Sequence, residues 1–416
     1  MPEVEITAMT FGPFGVGRLD GKAVMVPNAA PGDRVEVAMV SERRDYAIAK
    51  ISTILKPGPE RRTPPCPFLP RCGGCDWQHL EYSAQLRLKG ELIGAELSRA
   101  LDLKLNAERL VEPAPDEFGY RSRVRLKAGA GGALGYYELG SNALVAIDRC
   151  AVAEPELHPP TEFARALGGR LDEVEVAGAG ERIVVVGHLK RPPAQPELAL
   201  ARQVLASDRT IAGIILRAGR VRELLGDTEV ELDIEDGLAI RADADLFSQV
   251  NRAQNRKLVA AVMESAALGE HTAVLDLFCG TGNFSLPAAR RGARVTGVDA
   301  DRFAIAAAAR NAERLALDDA QFVAMKAGAI AEFLQRARYR SEVVILDPPR
   351  TGALALMEPI AKLRPRTIIY VSCDVTTLAR DLRALVAHRY AIRAVSAFDF
   401  FPNTHHAEIV ARAVLT

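Results

Sequence analysis

Apolar and polar positions alternate through the first part of the chain, with Val4 and Ile6, Val24 and Val26, and Val35 and Val37 each two residues apart. Turn-forming Gly15, Gly17, Asp20-Gly21 and Pro31-Gly32-Asp33 separate these runs. A period of two broken by Gly, Pro and Asp predicts several short strands, and so many in residues 1–58 fit a small OB-like β-barrel. Over 82–101 the spacing becomes helical, through Leu86, Leu92, Ile93, Leu97 and Leu101, which predicts a packing helix. Residues 128–245 read as mostly strand with Gly-rich turns, including apolar runs at 183–186, 211–216 and 230–234. From Ala273 onward short apolar strands at 273–278, 294–298, 321–325, 342–346 and 367–371 alternate with helical stretches. That alternation predicts a parallel, Rossmann-like α/β sheet.

A Pro-rich joint, Lys56-Pro57-Gly58-Pro59 and Thr63-Pro64-Pro65, reads as a domain boundary. We therefore expect a barrel at 1–58, a central domain at 59–245 and an α/β domain at 246–416. A chain of 416 residues has room for two or three domains of about 100–200 residues each. Fifty-three basic residues balance fifty-three acidic ones, so overall charge argues neither way about a polyanionic partner, and a basic footprint has to be local. The start of the chain lacks the cationic and apolar regions of a signal peptide, and no apolar stretch reaches the roughly 20 residues of a membrane span. A cytoplasmic protein is expected.

Three of the six cysteines, Cys66, Cys72 and Cys75, fall within ten residues, while Cys150, Cys279 and Cys373 stand apart. In a reducing compartment such a cluster points to metal or iron–sulfur ligation rather than to disulfides. Three thiolates on a Gly/Pro loop can wrap one inorganic core, with Cys150 as the natural fourth ligand. The spacing of five then two, with Gly73-Gly74 allowing close backbone approach, favours a [4Fe-4S] cluster, with zinc as the rival occupant. Beyond the loop, Arg121, Arg123, Arg125 and Lys127 occupy every second position, which on a strand is one face. Such a row repels itself unless a polyanion lies across it, so an RNA phosphate contact is expected there.

In the α/β half the first strand enters Cys279-Gly280-Thr281-Gly282-Asn283-Phe284, and Asp299 follows about 20 residues later, where an acid can accept both ribose hydroxyls. Two glycines are too few for a pyrophosphate fingerprint, and Asp276 on the strand offers a charge to a sulfonium, so S-adenosylmethionine fits better than a dinucleotide. The fourth strand ends in Asp347-Pro348-Pro349-Arg350, a rigid turn that would hold Asp347 over the cofactor and leave Arg350 near a substrate. The fifth closes with Val371-Ser372-Cys373-Asp374, placing a thiol where open α/β sheets bind their ligands. Glu408 stands near the start of a last strand.

Together these stretches resemble the RNA 5-methyluridine methyltransferase family, over nearly the whole chain. The resemblance rests on Asp276 to Phe284, Asp347-Pro-Pro-Arg350, Ser372-Cys373-Asp374 followed by Thr377-Leu378-Ala379-Arg380-Asp381, His405-His406-Ala407-Glu408, and Phe247-Ser248-Gln249-Val250-Asn251. The barrel is similar to the family's TRAM module, and the cysteine quartet to the iron–sulfur branch that modifies 23S ribosomal RNA. The resemblance implies a class I S-adenosylmethionine methyltransferase in which Gln249, Phe278, Asn283, Asp299 and Asp347 contact the cofactor. It makes Cys373 the nucleophile and Glu408 the base, and Cys66, Cys72, Cys75 and Cys150 the cluster ligands. Two positions depart from the family: Asp299 stands where Glu is usual, and Val375 where Pro is usual. Neither removes a reacting group, so an active enzyme is expected.

The implied chemistry suits these groups. Carbon 5 of uracil is a weak nucleophile until a thiolate adds at carbon 6, and a base must then remove the carbon 5 proton. A carboxylate at Glu408, tuned near His406, is the candidate base. Alternatives are a uridine of the transfer RNA T-loop as target, an exocyclic-amine methyltransferase that needs no Cys373, and a non-catalytic RNA-binding protein. No membrane or protein partner is implied, and a monomer is expected.

Overall fold

The computed structural model describes residues 1–336 and 340–416. Strands β1 (Glu3–Met9), β2 (Phe14–Leu19), β3 (Lys22–Pro27), β4 (Arg34–Glu42) and β5 (Tyr46–Lys56) close into a barrel in the order β1-β2-β3-β5-β4. Alternation puts Val4, Ile6, Val24, Val26, Val35 and Val37 inside it. The buried Asp33 carboxylate accepts from the backbone N–H of Ala30 at 2.7 Å and Gly58 at 2.8 Å, and pairs with Arg61. Burial raises its pKa, but these partners outweigh burial and hold it below the usual carboxylate range. One charge thus pins the barrel to the Pro-rich joint.

After the joint come a helix, Tyr82–Leu101, and the short strand β6 (Val111–Glu112). A seven-stranded sheet follows, built from β7 (Arg123–Ala128), β8 (Leu134–Tyr137), β9 (Leu144–Ala146), β10 (Leu171–Ala179), β11 (Arg182–Leu189), β12 (Ile211–Ala218) and β13 (Val221–Gly226) in the order β13-β12-β11-β10-β7-β8-β9. Helices Thr161–Leu167 and Gln195–Ser207 bring Phe163, Leu167, Leu198 and Ala201 into its core. Strands β14 (Glu229–Glu235) and β15 (Leu238–Asp243) form a separate hairpin.

The third sheet holds β16 (Ala273–Leu277), β17 (Arg294–Asp299), β18 (Ala320–Ala324), β19 (Val343–Leu346), β20 (Thr367–Ser372), β21 (Tyr390–Phe398) and β22 (Glu408–Leu415), ordered β18-β17-β16-β19-β20-β22-β21-β6. Strands β16 to β20 run parallel, and β22 inserts antiparallel between β20 and β21. The order reverses at β16, with β17 on one side and β19 on the other, which opens a crevice at the carboxyl ends.

The hydrophobic cores divide the chain differently from the expected boundary at 245. Ile93 and Leu97 of the Tyr82–Leu101 helix share a core with Leu275, Leu277, Leu378 and Leu382, and β6 extends the third sheet by pairing with β21. Leu232, Ile234 and Ile240 of the hairpin pack with Leu258 and Val262 of helix Arg252–Ala266. Periodicity fixes which face of an element is buried but not which sheet buries it, so parts of the expected central domain fold onto the α/β sheet. Among the described residues no helix is long and apolar enough to cross a membrane.

Candidate active site

Beyond β16 the chain turns on Phe278, whose φ of 63° lies in the left-handed region, a conformation that costs a non-glycine residue about 1–2 kcal/mol. The turn continues through Gly280 (φ 53°) and Gly282 (φ 99°). A Cβ on Gly282 would stand 2.9 Å from the Leu286 side chain, so both conformation and space require glycine there. Asp299, at the end of β17, accepts the Gly280 N–H at 2.9 Å and the Asp301 N–H at 2.8 Å. Asn283 and Asn255 exchange side-chain hydrogen bonds at 2.9 and 3.0 Å. Gln249, Phe278, Asn283 and Asp347 line one pocket, while Asp299 adjoins it through Gly280.

Asp276 lies beneath the turn and not on the wall of that pocket. It is fully buried and accepts the Ser285 hydroxyl at 2.5 Å. Burial pushes its pKa up to about 7. A strand-interior side chain points into the layer below, not toward the crevice, so Asp276 braces the turn.

Cys373 and Glu408 meet through strand register. Ser372 pairs with Ile409 across β20 and β22, so the next step sets Cys373 opposite Glu408. Behind the thiol, Asp374 accepts the Thr377 N–H at 2.8 Å and caps helix Val375–Ala387. Val375 fills the first position of that helix, where proline is favoured but not required, and buries its side chain in the core. Asp347 ends the neighbouring β19, and Arg350 follows it by one tight turn.

Charge in this corner is unbalanced. Burial, then Glu408 and Asp347, push the Cys373 thiol up to about 11, against the pull of the Arg350 guanidinium. Glu408, only 6% exposed, is raised well above the carboxylate range by burial and by Asp347. Burial raises Asp347 as well. His406 is not the group that tunes Glu408. Burial, His405 and Arg350 push His406 itself down to about 3, and its Nε2 lies 3.4 Å from Arg350.

The basic row on β7 also differs from its expectation. Arg125 and Lys127 both pair with Glu173, and Glu175 lies 3.5 Å from Arg125 and 3.7 Å from Arg123. Glu173 sits opposite Lys127, and Glu175 opposite Arg125, on the adjacent β10. Cross-strand carboxylates therefore offset charges that were expected to await a polyanion. Arg123 is half-buried and donates to the Leu246 carbonyl at 2.8 Å.

Residues 202–412 match the family model described as tRNA (uracil-5-)-methyltransferase, and residues 2–51 match the TRAM domain. A 23S rRNA (uracil(1939)-C(5))-methyltransferase RlmD from Shewanella amazonensis is 35% identical over 410 residues, 95% of this chain and 91% of that protein. The chain belongs to the RNA uracil-5-methyltransferase family. The RlmD of Pectobacterium atrosepticum is 32% identical over 98% of this chain and 92% of its own. Among solved structures, the tRNA (uracil-54, C5)-methyltransferase of Pyrococcus abyssi, in complex with S-adenosyl-L-homocysteine, superposes with a TM-score of 0.77 at 26% identity, covering 99% of this chain and 100% of that one.

In this uracil-5-methyltransferase the barrel is therefore a TRAM domain and the third sheet a class I methyltransferase sheet. Cys66, Cys72, Cys75 and Cys150 line a single cavity with Phe68 and Tyr136. Burial pushes Cys72 and Cys75 upward, and the neighbouring thiols add to the shift. Among the described residues no three His, Cys, Asp or Glu side chains are grouped to hold a single metal ion. A tetrahedral zinc bound at about 2.3 Å would bring its thiolates to within about 3.8 Å of one another.

Sequence reasoning missed the groups that tie the cysteine loop of the methyltransferase to its catalytic rim. The Asp76 carboxylate accepts the His405 backbone N–H at 3.0 Å and pairs with His405 Nδ1. The Trp77 backbone N–H donates to Asn403 O at 3.0 Å, and its indole N–H to Gly12 O of the barrel at 3.0 Å. Lys89 and Asp399, both 0% exposed, form an ion pair at 2.6 Å. Apart from the Trp77–Gly12 bond, which spans 65 residues, separations of over three hundred residues leave no local pattern to find; the one available signal is the adjacency of Asp76 to Cys75.

Proposed function

We propose that this enzyme transfers a methyl group from S-adenosylmethionine to carbon 5 of a uridine in 23S ribosomal RNA, with Cys373 as nucleophile and Glu408 as base. The observation that supports the reading is the β20–β22 register, which sets a thiol against a buried carboxylate, both within electrostatic reach of Asp347, a wall residue of the pocket that Gln249, Phe278 and Asn283 also line. Curated relatives that this chain matches along nearly their full length act on 23S rRNA by name.

S-adenosylmethionine, when bound, supplies an electrophilic methyl sulfonium. Gln249, Phe278, Asn283 and Asp347 would surround it, and Asp299, whose two oxygens already accept the Gly280 and Asp301 N–H groups, would use its remaining lone pairs for the ribose hydroxyls. The Cys373 thiolate adds to carbon 6 of the uracil, and the ring electrons shift to carbon 5 and the carbonyl oxygen. Carbon 5 then takes the methyl group, and S-adenosylhomocysteine departs. The Glu408 carboxylate removes the remaining proton from carbon 5, and the electrons of that C–H bond expel the Cys373 sulfur. Burial makes Glu408 a stronger base than a solvated carboxylate, and Arg350 is the cation placed to favour the Cys373 thiolate.

Cys66, Cys72, Cys75 and Cys150 suit a [4Fe-4S] cluster. Four thiols around one cavity, three of them on a loop whose Gly73-Gly74 lets backbone come close to sulfur, support that occupant, with zinc as the rival. Bound there, the core would anchor the loop whose Asp76 and Trp77 hold the 403–405 segment ahead of Glu408.

A second reading, a transfer RNA uridine, is favoured by the family model and by the Pyrococcus abyssi enzyme. Incubating unmodified ribosomal and transfer RNA with labelled S-adenosylmethionine separates the two. We expect 5-methyluridine in 23S rRNA; label confined to transfer RNA, or found on an exocyclic amine, would overturn the reading.

A further inference from the structure

We propose that a basic cleft beside the cofactor rim is a second RNA-binding surface, which takes the phosphate backbone of the strand that carries the target uridine. This rests on the uridine-methylating reading above and extends it to a site outside the catalytic corner. The cleft, of about 650 Å³, lies between the turn joining β12 to β13 and the carboxyl ends of β17 and β18. Arg217, Arg220, Arg222, Arg302 and Lys326 line it, with Asp301 as its acid. The Asp301 carboxylate is already engaged as the cap of helix Arg302–Arg314, accepting from Phe303 N at 2.8 Å and Ala304 N at 3.5 Å.

The five cations fall into two sets. Arg217 and Arg222 are fixed by the buried Asp245, and Arg222 is held also by Asp243 at 3.0 Å. Arg220, Arg302 and Lys326 are exposed, and among the described residues none of them forms an ion pair. The guanidiniums of Arg222 and Arg302 each lie 4.6 Å from the Phe303 ring centre, which places both on one aromatic side chain. The charges of Arg125 and Lys127 on β7 are met by Glu173, whereas among the described residues these three form no ion pair and the one acid of their cleft, Asp301, is engaged as a helix cap. In a chain of zero net charge, a concavity lined by five cations and one acid, with three of the cations in no ion pair among the described residues, is the local footprint that a polyanion would neutralise.

Continuity with the active site points to RNA rather than to a free phosphorylated metabolite. Arg217 and Gly219 also belong to a neighbouring cleft of about 450 Å³, which includes Arg121 and Arg123 and shares Phe247 and Ser248 with the cofactor pocket. A strand whose uridine is turned into the catalytic corner can leave along this joined groove. Its phosphates then reach Arg220, Arg302 and Lys326 as contacts that position the strand without reading sequence.

The test is the salt dependence of binding between the full-length enzyme and a 23S rRNA fragment that it methylates. Each phosphate contact contributes roughly 0.7 to the slope of log K against log salt for a single strand. The triple variant Arg220→Ala/Arg302→Ala/Lys326→Ala is therefore expected to flatten the slope by about 2, with S-adenosylhomocysteine affinity and thermal midpoint unchanged. Arg220→Glu alone, at an exposed turn, is expected to weaken RNA binding in the same direction and serves if the triple variant does not fold. An unchanged slope in a folded variant would overturn the proposal. So would a loss of S-adenosylhomocysteine affinity at unchanged slope, which would assign the cleft to the cofactor. Covalent trapping of the wild-type enzyme on RNA containing 5-fluorouridine, run in parallel, reports the uridine reading separately, so a failed cleft and a failed reading give different results.

Discussion

A thiol pushed up to about 11 is a poor nucleophile at neutral pH, and Arg350 is the lever that opposes the shift. Because Cys373 is raised, its thiolate fraction keeps growing with pH beyond the ordinary thiol range. Alkylation of Cys373 by iodoacetamide is expected to accelerate up to about pH 11, tracked by peptide mass. Arg350→Ala removes the stabilising cation, so alkylation at any lower pH should slow; an unchanged or faster rate would detach Arg350 from the thiol. Glu408→Gln should lower turnover by roughly 10²–10⁴-fold, as loss of a general base does, with S-adenosylhomocysteine affinity kept. Its signature is a methylated RNA–enzyme adduct that persists because the carbon 5 proton stays in place. At this scale the sequence was legible in placement: Cys373 follows β20, Glu408 opens β22 and Asp347 follows β19, at the strand ends where they were expected. It could not show the burial of Asp276 and His406, because the residue pattern carries no measure of burial.

The elements that aim these groups are joined across long sequence distances. Lys89 on the Tyr82–Leu101 helix and Asp399 after β21 are wholly buried partners, so removing one leaves a buried charge unpaired. Lys89→Ala is expected to cost about 3–5 kcal/mol, read as a lower denaturant midpoint, while Lys89→Met with Asp399→Leu should recover much of that loss. A single variant as stable as the wild type would show that the pair does not hold the catalytic loop. Alternation revealed the strands, and helical spacing revealed the helix, but neither specified partners. The β7 cations found Glu173 and Glu175 on β10, a pairing encoded in register rather than in either segment alone.

Across the whole molecule, one loop touches every part that has to cooperate. Cys66, Cys72 and Cys75 face the cavity shared with Cys150, Trp77 reaches the barrel at Gly12, and Asp76 reaches His405 three positions before Glu408. If the quartet holds a cluster, Cys75→Ser should lower the iron and sulfide content of anaerobically purified protein and its brown absorbance together; full iron content would take Cys75 out of the ligand set. The early alternation and the change of period at Ala273 made the closed barrel and the parallel sheet readable from sequence. The exchange of helix Tyr82–Leu101 and the β14–β15 hairpin onto the catalytic sheet was not readable, because amphipathic faces are interchangeable until packing selects among them. The central claim, a covalent route through Cys373 to carbon 5 of uridine, is tested most directly by the intact mass of the enzyme after incubation with S-adenosylmethionine and 23S rRNA containing 5-fluorouridine. The expected result is a stable complex of enzyme, RNA and one methyl group, whose cross-linked peptide contains Cys373 and which Cys373→Ala cannot form. Cofactor-competent wild-type enzyme that gives no such complex, or a complex through another residue, would contradict it.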